Sequence, residues 1–81
     1  MYYVYILKSF ADNKLYTGFS SNLRKRIKDH DSGNVDSTKN RRPLKLIYYE
    51  AYENKENALR REKFLKTTKG KLKLRKQIPL G

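Results

Sequence analysis

YYVYILK (2–8) is apolar on both of the faces between which a strand alternates. Tyr3, Tyr5 and Leu7 share one face; Tyr2, Val4 and Ile6 share the other. A strand of this kind is covered on both sides. The run is therefore predicted to be the central strand of a sheet with helices on both faces. A second β-rich run, KLYTGF (14–19), follows after SFADN, whose Asp12-Asn13 pair favours a turn. The two runs make a β-hairpin.

Working outward, Ser20, Ser21 and Asn22 are all capable N-caps for LRKRIKDH, which sets a short helix at about 22–31. Residues 31–43 are polar, contain Gly33 and end at Pro43, and are predicted to be a loop. LKLIYYEAY (44–52) is a third strand. Asn54 caps a second helix over about 55–66, and Thr67 and Thr68 interrupt it. A last short helix runs through GKLKLRKQ to Pro79. The order is ββαβαα. The expected fold class is α+β: a three-stranded antiparallel sheet, first strand central, flanked by helices. Residues 1–81 are expected to form a single domain.

Lys and Arg number 20 against 8 Asp and Glu, a net charge of +12. That balance favours a polyanionic partner, nucleic acid before an anionic membrane surface. No apolar run approaches the length of a membrane span, and MYYVYILKS lacks the marks of a signal peptide. With no cysteine there is neither a disulfide framework nor a thiolate metal site. The expectation is a soluble, cytoplasmic protein that does not bind membranes.

One acid stands out against this basic background. At about 100° per residue, Ala58, Glu62 and Leu65 fall on one stripe of the second helix, with Leu59 beside it. A carboxylate on an inward face is costly unless it is paired, protonated or bound to a cation. An ion pair with Arg60, Arg61 or Arg26 is the simplest partner; a hard divalent cation is the other.

Other residues could converge with it. On the first helix Leu23 and Ile27 define the buried stripe, and Arg26 and His30 lie together on one side of it. Arg24, Lys25 and Lys28 point toward water. His30 could instead contact carbonyls in its last turn, and Arg26 could simply extend from a partly apolar face. Tyr5 and Tyr16 lie in paired strands, and Gly18 marks a close approach by another group. Such a set suits phosphodiester hydrolysis. A carboxylate can hold Mg²⁺, an arginine can stabilise phosphate charge, and a tyrosine or histidine can handle the proton of attacking water.

Tyr3-Val4-Tyr5 followed by Tyr16-Thr17-Gly18 resembles the paired motif of the GIY-YIG nuclease superfamily. Tyr3 stands where the family has glycine, and Thr17 where it has isoleucine. Arg26 matches the spacing of the family's catalytic arginine, His30 follows one turn later, and Glu62 matches its metal-binding glutamate. The chain is similar to small stand-alone bacterial members, which are related to the UvrC N-terminal nuclease domain and to intron homing endonucleases.

The resemblance implies a metal-dependent DNA endonuclease, with DNA repair or recombination as the implied setting. Tyr5 and Tyr16 would position or deprotonate water, and Arg26 would stabilise the phosphate. His30 would assist proton transfer, and Glu62 would bind a single Mg²⁺ or Mn²⁺. The basic residues Arg24, Lys25, Lys28, Lys39, Arg41 and Arg42 would bind nucleic acid, with RNA an open alternative to DNA and a protein partner a possible source of specificity. The chain departs from many family nucleases in having no asparagine after Glu62. The competing expectation is a non-catalytic nucleic-acid-binding module that keeps the fold.

Overall fold

Strand β1 (Tyr2–Ser9) sits at the centre of the sheet, between β2 (Leu15–Ser20) and β3 (Leu44–Tyr52), and pairs antiparallel with both. The computed structural model describes residues 1–78. Pro79, where the last helix was expected to end, lies outside the described residues. Three helices complete the order ββαβαα: α1 (Leu23–Asp31), α2 (Lys55–Leu65) and α3 (Thr68–Gln77). Among the described residues no helix is long and apolar enough to cross a membrane.

The doubly apolar pattern of β1 has the expected consequence. Val4 and Ile6 pack in one core with Ala58, Leu65, Leu74 and Ile78, beneath α2 and α3. Tyr5 points to the opposite face, where its hydroxyl meets His30 of α1. Helices therefore cover both sides of the central strand.

Local chemistry explains the boundaries. Asn13 occupies the left-handed region (φ 59°) in the hairpin turn, and Asp12 accepts a hydrogen bond from the Lys14 amide. Of the three candidate caps for α1, Asn22 serves, accepting from Lys25 N. Asn54 does the same for α2 through Asn57 N.

Two expectations are corrected. Thr67 does not merely interrupt. It is the N-cap of α3, accepting from Gly70 N, so α3 begins at Thr68 rather than Gly70. A Cβ on Gly70 would collide with the carbonyl of Phe64, which is why the α2–α3 corner closes so tightly there. The segment 31–43 is also more than a polar loop. It holds a 3₁₀ turn, Lys39–Arg41, and buries Val35 and Thr38.

Strand β3 carries an irregularity opposite Ile6 and Leu7, where its pairing skips Ile47. On one side of it Tyr48, Glu50 and Tyr52 share a face by the two-residue period. The Tyr48 and Tyr52 hydroxyls both donate to Glu50, and Arg61 of α2 donates through Nε at 2.9 Å and a terminal nitrogen at 3.0 Å. Burial pushes the Glu50 carboxyl up, but Arg61 and the two hydroxyls outweigh it and leave its pKa lowered. Burial, with the hydrogen bond to Glu50 and the Glu50 charge, pushes Tyr52 up to about 12.

This cluster bolts β3 to α2, and removing its acid strands a guanidinium and two hydroxyls. Glu50→Ala is expected to cost about 2 kcal/mol, a fall in Tm on the order of 10 °C for a domain of this size. Thermal melts check it. Because the folded pKa lies below 4.5, the Glu50 contribution is present above that pH and is lost as pH falls further. Acidification below that point should therefore cost the variant less stability than it costs the parent.

Candidate active site

The residues singled out around Glu62 occupy two layers. The inner layer is a buried hydrogen-bonded chain. Tyr5 and His30 both have zero exposure, and the Tyr5 hydroxyl lies 2.7 Å from His30 Nε2. The other ring nitrogen, Nδ1, lies 2.7 Å from Thr38 Oγ1, and Thr38 is equally buried. His30 thus does not turn to the carbonyls of its own last turn; both its nitrogens are engaged by side chains.

Burial lowers the His30 pKa, and the Arg26 guanidinium lowers it further against opposing pulls from Asp31 and Asp29. The ring is neutral at physiological pH. A neutral imidazole has one donor and one acceptor nitrogen, so either tautomer satisfies this chain.

Gly18 makes the inner layer possible. It pairs with Tyr5 across the β1–β2 ladder, and a Cβ at Gly18 would collide with Cζ and the hydroxyl of Tyr5. The Tyr5 ring lies over the bare glycine. Gly33, in the left-handed region at φ 77°, turns the chain after α1 and brings Thr38 back to His30.

The outer layer faces water. Tyr16 is half-buried, its ring 6.4 Å from that of Tyr5 and 5.2 Å from that of His30. Its hydroxyl accepts only a long 3.5 Å contact from Ser37. The Arg26 guanidinium borders the Tyr5 hydroxyl without a hydrogen bond of good geometry, and its Nε is buried without a partner. A buried donor left unpaired is costly and calls for an acceptor. Burial raises the Tyr5 pKa, Arg26 opposes it, and Tyr16 and Glu62 add to it. Glu62 is the weakest of these influences on Tyr5.

Glu62 follows the expected stripe between buried Ala58 and Leu65, with 19% of its side chain exposed; Leu59 lies at the exposed margin. Its ion-pair partner differs from all three arginines considered. Arg61 is committed to Glu50, and Glu62 instead meets Lys66 one turn on, at 3.3 Å.

The expected nucleic-acid-binding cations fall into two groups. Arg24, Lys25 and Lys28 are exposed on α1. Arg41 is tied to Asp12 of the hairpin through Nε at 2.8 Å, Arg42 donates to the carbonyls of Lys39 and Asp31, and Lys39 approaches Asp36 at 3.6 Å. Arg41 and Arg42 therefore also hold the loop in place. The Arg41 contact lowers the Asp12 pKa to about 2.

Thr38 was not legible from the sequence. It lies in a polar segment without periodicity, and no spacing rule joins it to His30. Lys66 could have been found from its i,i+4 relation to Glu62.

Comparison with known proteins shows the family of the chain. A family model described as the GIY-YIG catalytic domain matches residues 1–76. A UPF0213 protein of Clostridium perfringens is 51% identical over 67 residues, covering 82% of this chain and 71% of that protein. One from Staphylococcus haemolyticus is 44% identical over 75 residues, covering 91% of this chain and 90% of its own. A solution NMR structure of a UPF0213 protein from Bacillus halodurans superposes with a TM-score of 0.60 at 36% identity, over 95% of this chain and 85% of that one.

Proposed function

Since the chain belongs to the GIY-YIG catalytic-domain family, a family of nucleases, we propose that it is a metal-dependent DNA endonuclease working as one domain through Tyr5, Tyr16, Arg26, His30 and Glu62. The observation that carries the reading is the pairing of layers: the buried Tyr5–His30–Thr38 chain beneath Tyr16 and an arginine with an unpartnered Nε.

Nucleases of this family generally depend on a divalent metal ion. The donors here suit a hard cation of the Mg²⁺ or Mn²⁺ class. Among the described residues no group of three His, Cys, Asp or Glu could hold a metal, and both His30 nitrogens are engaged. Glu62 is the protein ligand this reading assigns, in keeping with Mg²⁺, an ion that keeps several waters and takes one or two carboxylates. When bound, such an ion polarises a phosphoryl oxygen and lowers the pKa of water.

The chain's own residues divide the remaining work. Tyr16, the half-exposed hydroxyl, orients the attacking water. Arg26 directs its guanidinium at the non-bridging oxygens, where charge grows in the transition state. Tyr5 stays protonated because burial raises its pKa, and its hydroxyl is held by His30 Nε2. Thr38 fixes the imidazole from behind. The water oxygen forms the new bond to phosphorus as the bond from phosphorus to the leaving oxygen breaks; the water gives up its proton to solvent, and the leaving oxygen takes one from solvent.

A second reading has its own observation. Lys66 already neutralises Glu62, as it would in a basic module that binds nucleic acid without cutting it. Incubation with nicked, branched and plain DNA separates the two. The nuclease yields products with Mg²⁺ or Mn²⁺ and none with excess chelator. Steeply salt-dependent binding without products under any metal would overturn the catalytic reading. A preference for branched or nicked DNA would support a role in repair or recombination.

A further inference from the structure

Helix α1 has two flanks. Arg26 and His30 serve the catalytic cluster on one; the other faces a groove of about 540 Å³ between α1 and β3 that the catalytic reading leaves unused. Its lining combines Tyr3, Tyr49, Leu46 and Ile27 with the cations Arg24 and Lys28. The irregularity in β3 builds the floor. Leu46 pairs with Leu7 and Tyr49 with Tyr5, so skipping Ile47 brings both onto the face that carries Tyr3. The Tyr3 and Tyr49 rings meet edge to face, centroids 6.2 Å apart at 63°, and Tyr49 is 54% exposed. An edge-to-face pair leaves a ring face open. A large exposed aromatic ring beside two cations that pair with no acid among the described residues does not suit a solvated surface, and it does not suit an apolar protein partner.

We infer that this groove is a stacking site for an unpaired DNA base, with Arg24 and Lys28 neutralising the flanking phosphates. Aromatic rings receive bases without regard to sequence, and cations beside them track the backbone. The groove is continuous with the N-terminus of α1, whose first turn carries no acid. A duplex keeps its bases stacked on one another, so only single-stranded stretches can use the rings. The inference rests on nucleic acid being the substrate and deepens that reading: it directs the protein to DNA with unpaired nucleotides.

Equilibrium binding in chelator, where no cleavage occurs, tests it. The probe is a short single-stranded DNA carrying 2-aminopurine, with a blunt duplex in parallel. Binding should quench the probe. Tyr49→Ala should abolish the quenching and weaken single-strand binding about 10-fold, with duplex binding unchanged. Tyr49→Phe, which keeps the ring, should bind and quench like the parent. Joint replacement of Arg24→Gln and Lys28→Gln should flatten the salt dependence. Tyr49 is exposed, so its replacement leaves the core intact, and Arg24→Gln with Lys28→Gln supplies a second arm. The inference is overturned if Tyr49→Ala quenches and binds like the parent, if Tyr49→Phe behaves like Tyr49→Ala, or if duplex binding falls in parallel. Each of these results leaves metal-dependent cleavage untouched. A protein that stacks bases but never cuts keeps the groove and loses the catalytic reading.

Discussion

Glu62→Ala is expected to lower DNA cleavage about 10³-fold, roughly 4 kcal/mol of transition-state stabilisation, while leaving the fold intact. The two effects separate because Glu62 does little for stability. Its one ion pair is with Lys66, whose side chain is 54% exposed, and helical pairs of that kind are worth about 0.3–0.5 kcal/mol. Nothing in the core depends on the carboxylate. Cleavage depends on it in the proposed reading, because Glu62 is the carboxylate assigned there to hold the cation. Loss of charge should not weaken DNA binding and should slightly strengthen it, since a negative group leaves a strongly basic surface. Single-turnover cleavage, thermal melts and binding in chelator measure the three quantities on one variant. Cleavage within a few-fold of the parent would remove Glu62 from the site.

Gly18→Ala should act through the inner layer and damage both stability and activity. A Cβ at Gly18 would collide with Cζ and the hydroxyl of Tyr5, and Tyr5 has no free space because it is wholly buried. Overpacking of this kind costs about 1–3 kcal/mol, and displacing the hydroxyl from His30 adds about 1 kcal/mol for the lost hydrogen bond. A fall in Tm of more than about 10 °C is expected for a domain of this size, with cleavage reduced in whatever protein stays folded. A smaller residue at position 5 should relieve the collision. Tyr5→Leu combined with Gly18→Ala should be more stable than the sum of the single effects, since residues in contact couple. Simple additivity would show that the glycine matters for some other reason.

The frame of the molecule was legible because it rests on periodicity. The doubly apolar first strand could only be central, and β3 and the caps Asn22 and Asn54 fell where turn and cap chemistry placed them. The helical stripe through Ala58, Glu62 and Leu65 likewise placed the acid correctly. Contacts that depend on tertiary geometry were hidden. Thr38 reaches His30 only because Gly33 and the 3₁₀ turn fold the polar segment back. Arg61 turned to Glu50 instead of Glu62 because Tyr48 and Tyr52 had already gathered around that acid. The irregularity that aligns Leu46 with Tyr49 leaves no mark in the sequence of β3.

Following the side-chain and backbone resonances of the protein while Mg²⁺ is added tests the central claim most directly. Saturable shifts confined to Glu62, Lys66, Tyr16, Arg26 and their neighbours, absent in Glu62→Gln, are the expected result. Shifts at another surface, or shifts at this one that persist in Glu62→Gln, would contradict it.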